Sequence, residues 1–424
     1  MTKTERNWIL YDVANSAFVL IVCSSLGQMF FKDVISHGMD DAVSTSNWAF
    51  ANSIASSILA ITAPILGVFA DYKGVKKRFF AAFLCIGVVF TLLMASVGVG
   101  QWLWFLIVYV VARIGYAGAN VFYDSFLVDV AEKDRLDWVS SSGFAWGYIG
   151  SVIPFLASGA LVYFEMSRTG SETFPLFAGR IVFLVVVVWW TFLSVPMLRH
   201  VRQKHYLDLS SHPIRDSFAR LGKTFRDIRK YRQAFMFLVA YFFYIDAVDT
   251  IIFHFTSYGM DIDLGLMALF LITLMIQVVA FPCALIYGKM AGRFSVRNML
   301  HVGIGVYVCI TFIAYFLPDM SEEMKTAAFF MLAFLSATSL GGVQALSRSL
   351  FAGLIPVEKS AEFFGFYNIF GKFATVLGPA LMGIATRIMG HSRYGVLSLL
   401  VLFIIGGALL FRVKTDASIE TLNV

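Results

Sequence analysis

Charge is what this sequence has least of. Only 14% of its 424 residues are Asp, Glu, Lys or Arg, while 59% are apolar. A soluble domain is about a quarter charged, and a soluble chain of this length would divide into two or three domains, each with its own polar surface. The charge to coat such surfaces is missing, which excludes a soluble enzyme and a disordered chain. Cysteine is sparse as well. Cys23, Cys85, Cys283 and Cys309 lie far apart inside apolar runs, in no ligand or redox spacing, so disulfide scaffolds and metal centres are excluded and packing is their expected role. The sequence has no N-x-S/T sequon, no HExxH, no GxSxG and no nucleotide loop, and it implies no cofactor. No segment outside the apolar runs exceeds about 34 residues. The rival class is a membrane enzyme or a non-transporting receptor, but a membrane enzyme would be expected to place polar catalytic groups near an interface and a receptor to carry a larger extramembrane domain.

Long apolar runs are what the chain has instead. A helix crosses the ~30 Å hydrocarbon core in roughly 20 residues. Twelve such runs fall at about 8–31, 46–70, 79–99, 101–124, 138–163, 176–198, 233–258, 264–288, 298–317, 326–350, 362–386 and 394–412. They are continuous rather than alternating, and only helices or closed barrels satisfy their backbone in lipid, so the expected fold class is an all-α membrane protein. The first run is not a removable signal peptide, because it contains Asp12 and Asn15 and runs on too long.

Basic residues in short loops set orientation. One side collects Lys3, Arg6, Lys73, Lys76, Lys77, Arg78, Lys133, Arg135, Lys289, Arg293, Arg297, Lys359, Arg412 and Lys414, together with the basic loop from Arg199 to Arg232. The other has Lys32, Arg168, Arg180, Lys325, Arg387 and Arg393. Both termini are expected in the cytoplasm. The net charge of +6 is this bias and not a nucleic-acid footprint. The expected organisation is six spans in 1–198, a basic and partly helical linker at 199–232, and six spans in 233–424.

The two sets of spans echo each other. Asp12, Asn15 and Ser16 in the first run match Asp246, Asp249 and Thr250 in the seventh. Gly118, Asn120, Asp124 and Ser125 match Gly342, Gln344, Arg348 and Ser349 at a constant offset of 224 residues. A Gly-Phe pair follows each set, Gly143-Phe144 and Gly365-Phe366.

The segment Gly67-Val-Phe-Ala-Asp71-Tyr-Lys-Gly74-Val-Lys76-Lys77 resembles the major facilitator signature, with Tyr72 replacing the usual basic residue. Gly288-Lys-Met-Ala-Gly292-Arg293 resembles a degenerate second copy, with Gly292 where the acid would stand. Five segments resemble the vacuole-effluxer family of that superfamily, related to the autophagy-linked amino-acid effluxers of fungal vacuoles. They are Tyr11-Asp-Val-Ala-Asn-Ser-Ala-Phe18, Asn120-Val-Phe-Tyr-Asp-Ser-Phe-Leu127, Ser140-Ser-Ser-Gly-Phe-Ala-Trp-Gly-Tyr148, Tyr244-Ile-Asp-Ala-Val-Asp-Thr250 and Gly341-Gly-Val-Gln-Ala-Leu-Ser-Arg-Ser349. The resemblance implies a major facilitator fold of 12 transmembrane helices in two pseudo-symmetric six-helix bundles. It implies a secondary transporter working by alternating access, with an amino acid or related metabolite as cargo. Exporters of drugs, sugars or lysolipids are the alternative.

Ionisable groups inside spans cost at least ~2.5–3.5 kcal/mol each and therefore mark function. In the resembled fold the first, fourth, seventh and tenth helices line the path. The expected substrate- or ion-binding residues are Asp12, Asn15, Arg113, Asn120, Asp246, Asp249, Gln344, Asn368 and Lys372. Arg113 and Lys372 need anionic partners, which a substrate carboxylate or an internal acid would supply. Asp246 and Asp249 are neighbours on one helix face, and two adjacent acids disfavour joint ionisation, which points to a proton as coupling ion. His254 reads as a packed or water-facing side chain. The expected gate consists of Asp71, Lys76 and Lys77, with Asp124 and Arg348 as a salt bridge between halves. By the family resemblance, Asp71 meets a helix N-terminus near the eleventh span. Trp8, Trp48, Trp102, Trp104 and Trp138 are expected as interface anchors. The expected partners are a small-molecule substrate and membrane lipids, the chain acting as a monomer in a bacterial inner membrane.

Overall fold

A computed structural model describes residues 1–39, 41–170, 173–208, 230–261, 266–389 and 392–414. Eleven of its helices are long and apolar enough to cross a membrane. They are Lys3–Ile35, Asn47–Ala70, Val75–Met94, Trp102–Val130, Lys133–Thr169, Leu176–His200, Arg232–Ile252, Phe270–Phe294, Val296–Phe316, Met324–Leu354 and Arg393–Phe411. The helix Ser360–Met389, of 30 residues, falls between the last two and completes the twelve. We number the spans one to twelve in that order. Bulky apolar side chains such as Phe177, Val188 and Phe192 on the sixth span stand exposed. That face would be a liability in water, but in lipid it is required.

The chain forms two compact units. The first comprises Met1–Ala131, Trp146–Phe218 and Glu358–Gly365, and the second comprises Glu132–Ala145, Ala219–Val357 and Phe366–Val424. Each unit therefore includes a short segment from the other half of the sequence. Inside the first unit the first span packs on the sixth, and the fourth on the second and third. Inside the second unit the seventh packs on the twelfth, and the tenth on the eighth and ninth. The same pairing recurs at the same positions, as the internal echoes in sequence require.

The first apolar run is not one regular helix. Lys3–Ala17 is α-helical, Phe18–Cys23 widens to π turns, the chain breaks at Ser24 and Ser25, and helix resumes at Leu26. Serine hydroxyls compete for backbone carbonyls, and Ser25 Oγ donates to the Leu20 carbonyl. Ser24 N–H donates to Val19 O over five residues, at 3.0 Å. Polarity and a serine pair thus interrupt a segment that hydrophobicity alone makes continuous.

Small residues set the closest helix approaches. A Cβ on Gly115 of the fourth span would overlap the backbone of Gly87 on the third, whereas Gly292 and Gly305 have open space around them. Gly115→Val should destabilise the protein by about 1–3 kcal/mol through overpacking. Gly292→Ala and Gly305→Ala should leave the thermal midpoint unchanged, and the three midpoints measured in detergent decide the matter.

Candidate functional site

The sequence signature occupies the turn between the second and third spans, and its residues converge on the start of Ser360–Met389. Asp71, with no exposed surface, accepts the Ala361 N–H on Oδ1 at 2.9 Å and the Glu362 N–H on Oδ2 at 3.1 Å. The first N–H groups of a helix have no intrahelical acceptor and carry the positive end of its dipole, so a buried carboxylate there is doubly compensated. Gly67, one turn earlier, permits the approach, since a Cβ there would run into the Ala361 carbonyl. Gly74 makes the turn at φ +73°, a backbone conformation that costs glycine little.

Lys76 sits in the first turn of the third span and is fully buried. Its Nζ donates to Asp129 Oδ2 at 2.9 Å, Ser360 Oγ at 2.8 Å and the Ser125 carbonyl at 3.4 Å. Lys77 separates from it: its Nζ donates to the Val201 carbonyl at 2.8 Å, in a partly exposed setting. The sequence alone does not separate the two lysines, and neither Asp129 nor Ser360 stands out in it. The signal for Asp129 was an acid ending the fourth apolar run, five residues past Asp124, with a pair of lysines needing an anion.

In the second unit the degenerate copy works differently. Gly288 lies against Ser141 and the Asp137 carbonyl, and Gly292 replaces the acid. Arg348 supplies the polar contact instead. It donates through Nε to Ser140 Oγ and through Nη2 to Ser140 O, both at 2.9 Å, and lies over the Phe144 ring at 4.3 Å. Ser140 Oγ donates in turn to Ala345 O at 2.8 Å. Asp124 is half-buried on the fourth span of the first unit.

Deeper in the first unit, Asn15 Nδ2 donates to Asn120 Oδ1 at 3.0 Å and joins the first span to the fourth. Asp12 is buried, and its carbonyl accepts the Ser16 hydroxyl at 2.7 Å. Arg113 has Tyr109, Cys23 and Tyr116 as its electrostatic neighbours, beside the break in the first span, and the described residues provide it no carboxylate partner. In the second unit, Asp246 is fully buried and accepts the Gly378 N–H on Oδ2 at 2.8 Å, next to Pro379. The Thr250 hydroxyl reaches its other oxygen at 3.5 Å. Asp249 lies one turn on and is half-buried, as are Gln344 and Asn368. The side chains of Lys372 and His254 lie outside the described residues.

Two expected interface anchors are internal. Trp8 has no exposed surface, stacks on Tyr123 at 4.4 Å and donates its Nε1–H to the Tyr123 carbonyl at 3.0 Å. Trp48 is buried and stacks on Tyr109 at 4.2 Å. Each is covered by a tyrosine of the same unit, whereas Trp104 is exposed.

Removing one partner of a buried ion pair leaves an uncompensated charge. Lys76→Met should therefore destabilise the protein by about 3–5 kcal/mol. Lys77→Met, which loses one edge hydrogen bond, should cost about 1 kcal/mol. Denaturation of both variants in matched detergent checks the difference, and equal losses would refute it.

Known proteins resemble this chain in sequence and in fold. The model of a family described as vacuole effluxer Atg22 like matches residues 23–423. The chain is 44% identical over 423 residues to an uncharacterized MFS-type transporter, YxiO, of Bacillus subtilis (strain 168), covering 99% of this chain and 96% of that protein. It is 24% identical over 298 residues to Autophagy-related protein 22 of Cryptococcus neoformans var. neoformans serotype D, covering 66% of this chain and 50% of the fungal one, so it spans about half that relative's length. Among solved structures, the proton:xylose symporter XylE superposes with a TM-score of 0.71 at 10% identity, over 99% of this chain and 98% of that one. A bacterial homologue of the iron transporter ferroportin, in an outward-facing state, does so with a TM-score of 0.67 at 14% identity, over 97% and 98%. At such identities the structures speak for the fold alone, which is the twelve-helix major facilitator fold. With the family model spanning most of the chain and a full-length transporter relative, the protein belongs to the vacuole effluxer Atg22-like family, a multi-pass secondary transporter of small molecules and not an enzyme.

Proposed function

We propose that the protein exports a small zwitterion, an amino acid or related metabolite, by proton-coupled alternating access. The observation that carries this reading is Arg113: a guanidinium within a membrane span that has no carboxylate partner among the described residues. An arginine at that depth is costly unless an anion joins it, and a substrate carboxylate fits its planar, bidentate donor geometry. The polar pair Asn15–Asn120 supplies donors and acceptors in the same unit. Asp246 and Asp249, one turn apart and in electrostatic contact, are assigned to the coupling proton, and Asp12 supports the Asn15 surface. Gln344, Asn368 and Lys372 are further candidate contacts for cargo. The family description and the fungal relatives favour efflux of such a solute. The Bacillus relative and the distribution of Lys and Arg favour a bacterial cytoplasmic membrane with both termini inside the cell, where the chain acts as a monomer.

In the same reading Asp71 and Lys76 are a latch. Their bonds to Ala361, Glu362 and Ser360 hold one state and are given up when the cytoplasmic end opens. Arg348 with Ser140 and Phe144 forms the counterpart in the second unit, and Asp124 and Lys77 border the same loops.

The test is a thermal-shift screen of purified protein against amino acids, sugars, peptides and lipids, followed by flux into liposomes with an imposed pH gradient. A carboxylate-bearing solute should raise the midpoint, and Arg113→Gln should erase that shift while leaving the apo midpoint in place. Stabilisation by sugars or neutral drugs alone would sink the assignment. Asp246 offers a second separation. Asp246→Asn keeps an acceptor for the Gly378 N–H, so it should stay folded yet lose the response of flux to the pH gradient. Asp246→Leu strands that N–H and should also lose about 1–3 kcal/mol of stability.

A further inference from the structure

The eight residues after the sixth span do something the signature does not account for. Residues 201–208 turn back along the loop 71–77 and bond to it throughout. Leu207 N–H donates to Asp71 O at 2.9 Å and Lys73 N–H donates to Leu207 O at 3.2 Å, which makes Tyr72 and Leu207 a parallel bridge pair, the one β interaction among the described residues. Gln203 fills the inside of the turn. Its Oε1 accepts the Gly74 N–H at 3.0 Å, and its Nε2 donates to Ala70 O at 3.3 Å and Asp71 O at 3.4 Å. Gly74 is the N-cap of the third span, which has no side-chain cap, and Gln203 satisfies the Gly74 N–H from another segment, as the N3 side chain of a capping box would from within the helix.

The same strap holds the free oxygen of Asp129. With Oδ2 on Lys76, Oδ1 accepts the N–H groups of Lys204 and His205, both at 2.8 Å, and His205 Nδ1 lies 3.2 Å from it. A buried carboxylate fixed on both oxygens fixes its lysine, and the lysine in turn is bonded to Ser360 Oγ at 2.8 Å. Val201 O takes Lys77 at 2.8 Å and draws the second lysine away from that centre.

We propose that residues 201–208 are a positioning strap for the gate, with Gln203 and the 204–205 backbone as its working groups. They order the loop 71–77 and hold Asp129, so that Asp71 and Lys76 meet the start of Ser360–Met389 already aimed. The first stretch of the linker is then part of the gating machinery rather than a tether, and whatever displaces it loosens the gate. This inference rests on the latch reading of Asp71, and the experiment tells the two apart.

The reporter is Ala361→Cys, at a fully buried side chain whose backbone N–H bonds Asp71, in a background lacking the four native cysteines. Its maleimide labelling rate in nanodiscs reports how often the contact between the loop 71–77 and the start of Ser360–Met389 opens. Asp71→Asn should raise the rate about tenfold if it is a latch. Gln203→Ala should raise it about fivefold, and the double variant should be no faster than Asp71→Asn alone, because groups acting as one unit are not additive. In Gln203→Ala, a disulfide between Tyr72→Cys and Leu207→Cys, whose bridge pairing suits the Cα spacing a disulfide needs, should restore slow labelling until reductant is added. An unchanged rate in Asp71→Asn overturns the latch and the strap together. A rate raised by Asp71→Asn but not by Gln203→Ala overturns the strap alone. Independent, multiplying effects also overturn it, since they describe a segment that stabilises the fold without aiming the gate.

Discussion

An ammonium group with no exposure to solvent governs the turn between the second and third spans. Taking Lys76 out of water is affordable only with full compensation, and the protein supplies it from three directions: the Asp129 carboxylate, the Ser125 carbonyl and the Ser360 hydroxyl. An apolar pair would hold the same segments as firmly or more so. What a buried ion pair adds is direction and an alternative: its partners must be met at defined angles, and each can be hydrated once separated. Those are properties suited to a contact that forms and breaks. The neighbouring Asp71 follows the same logic with a helix end in place of a cation.

The two halves share a plan and differ in chemistry. The same pairs of spans pack together in each unit, so duplication of six helices is visible in the packing as well as in the residues. At the signature turn the first half uses an acid on a helix N-terminus. The second has Gly292 at that position and uses Arg348 on a serine and a phenylalanine ring. The two signature turns are therefore held by different chemistry, an anion on amides in the first unit and a guanidinium on a hydroxyl in the second.

Polar groups in the spans divide by what they already hold. Asp246 is partly committed to structure, because it accepts a backbone N–H beside a proline in the eleventh span, and Asn15 and Asn120 share one hydrogen bond. Arg113 is the contrast, a cation beside a broken helix with aromatic hydroxyls and a thiol around it. Arg113 thus differs from the others in having no carboxylate partner among the described residues.

Composition and spacing alone were enough for the membrane class, the number of spans and the repeat, since hydrophobic length and echoing polar positions are local properties of the chain. Asp71 was legible because its motif is local too. Asp129 was not, for its importance comes from Lys76 and from two amides more than seventy residues away. Trp8 and Trp48 were misjudged for the same reason, as an interface tryptophan and a buried one have the same sequence neighbourhood. The division between Lys76 and Lys77, the strap at 201–208 and the break at Ser24 all depended on which groups compete for the same hydrogen-bonding partner. Only the folded chain decides such competitions, because desolvation is set by everything that surrounds a group and not by the residues beside it.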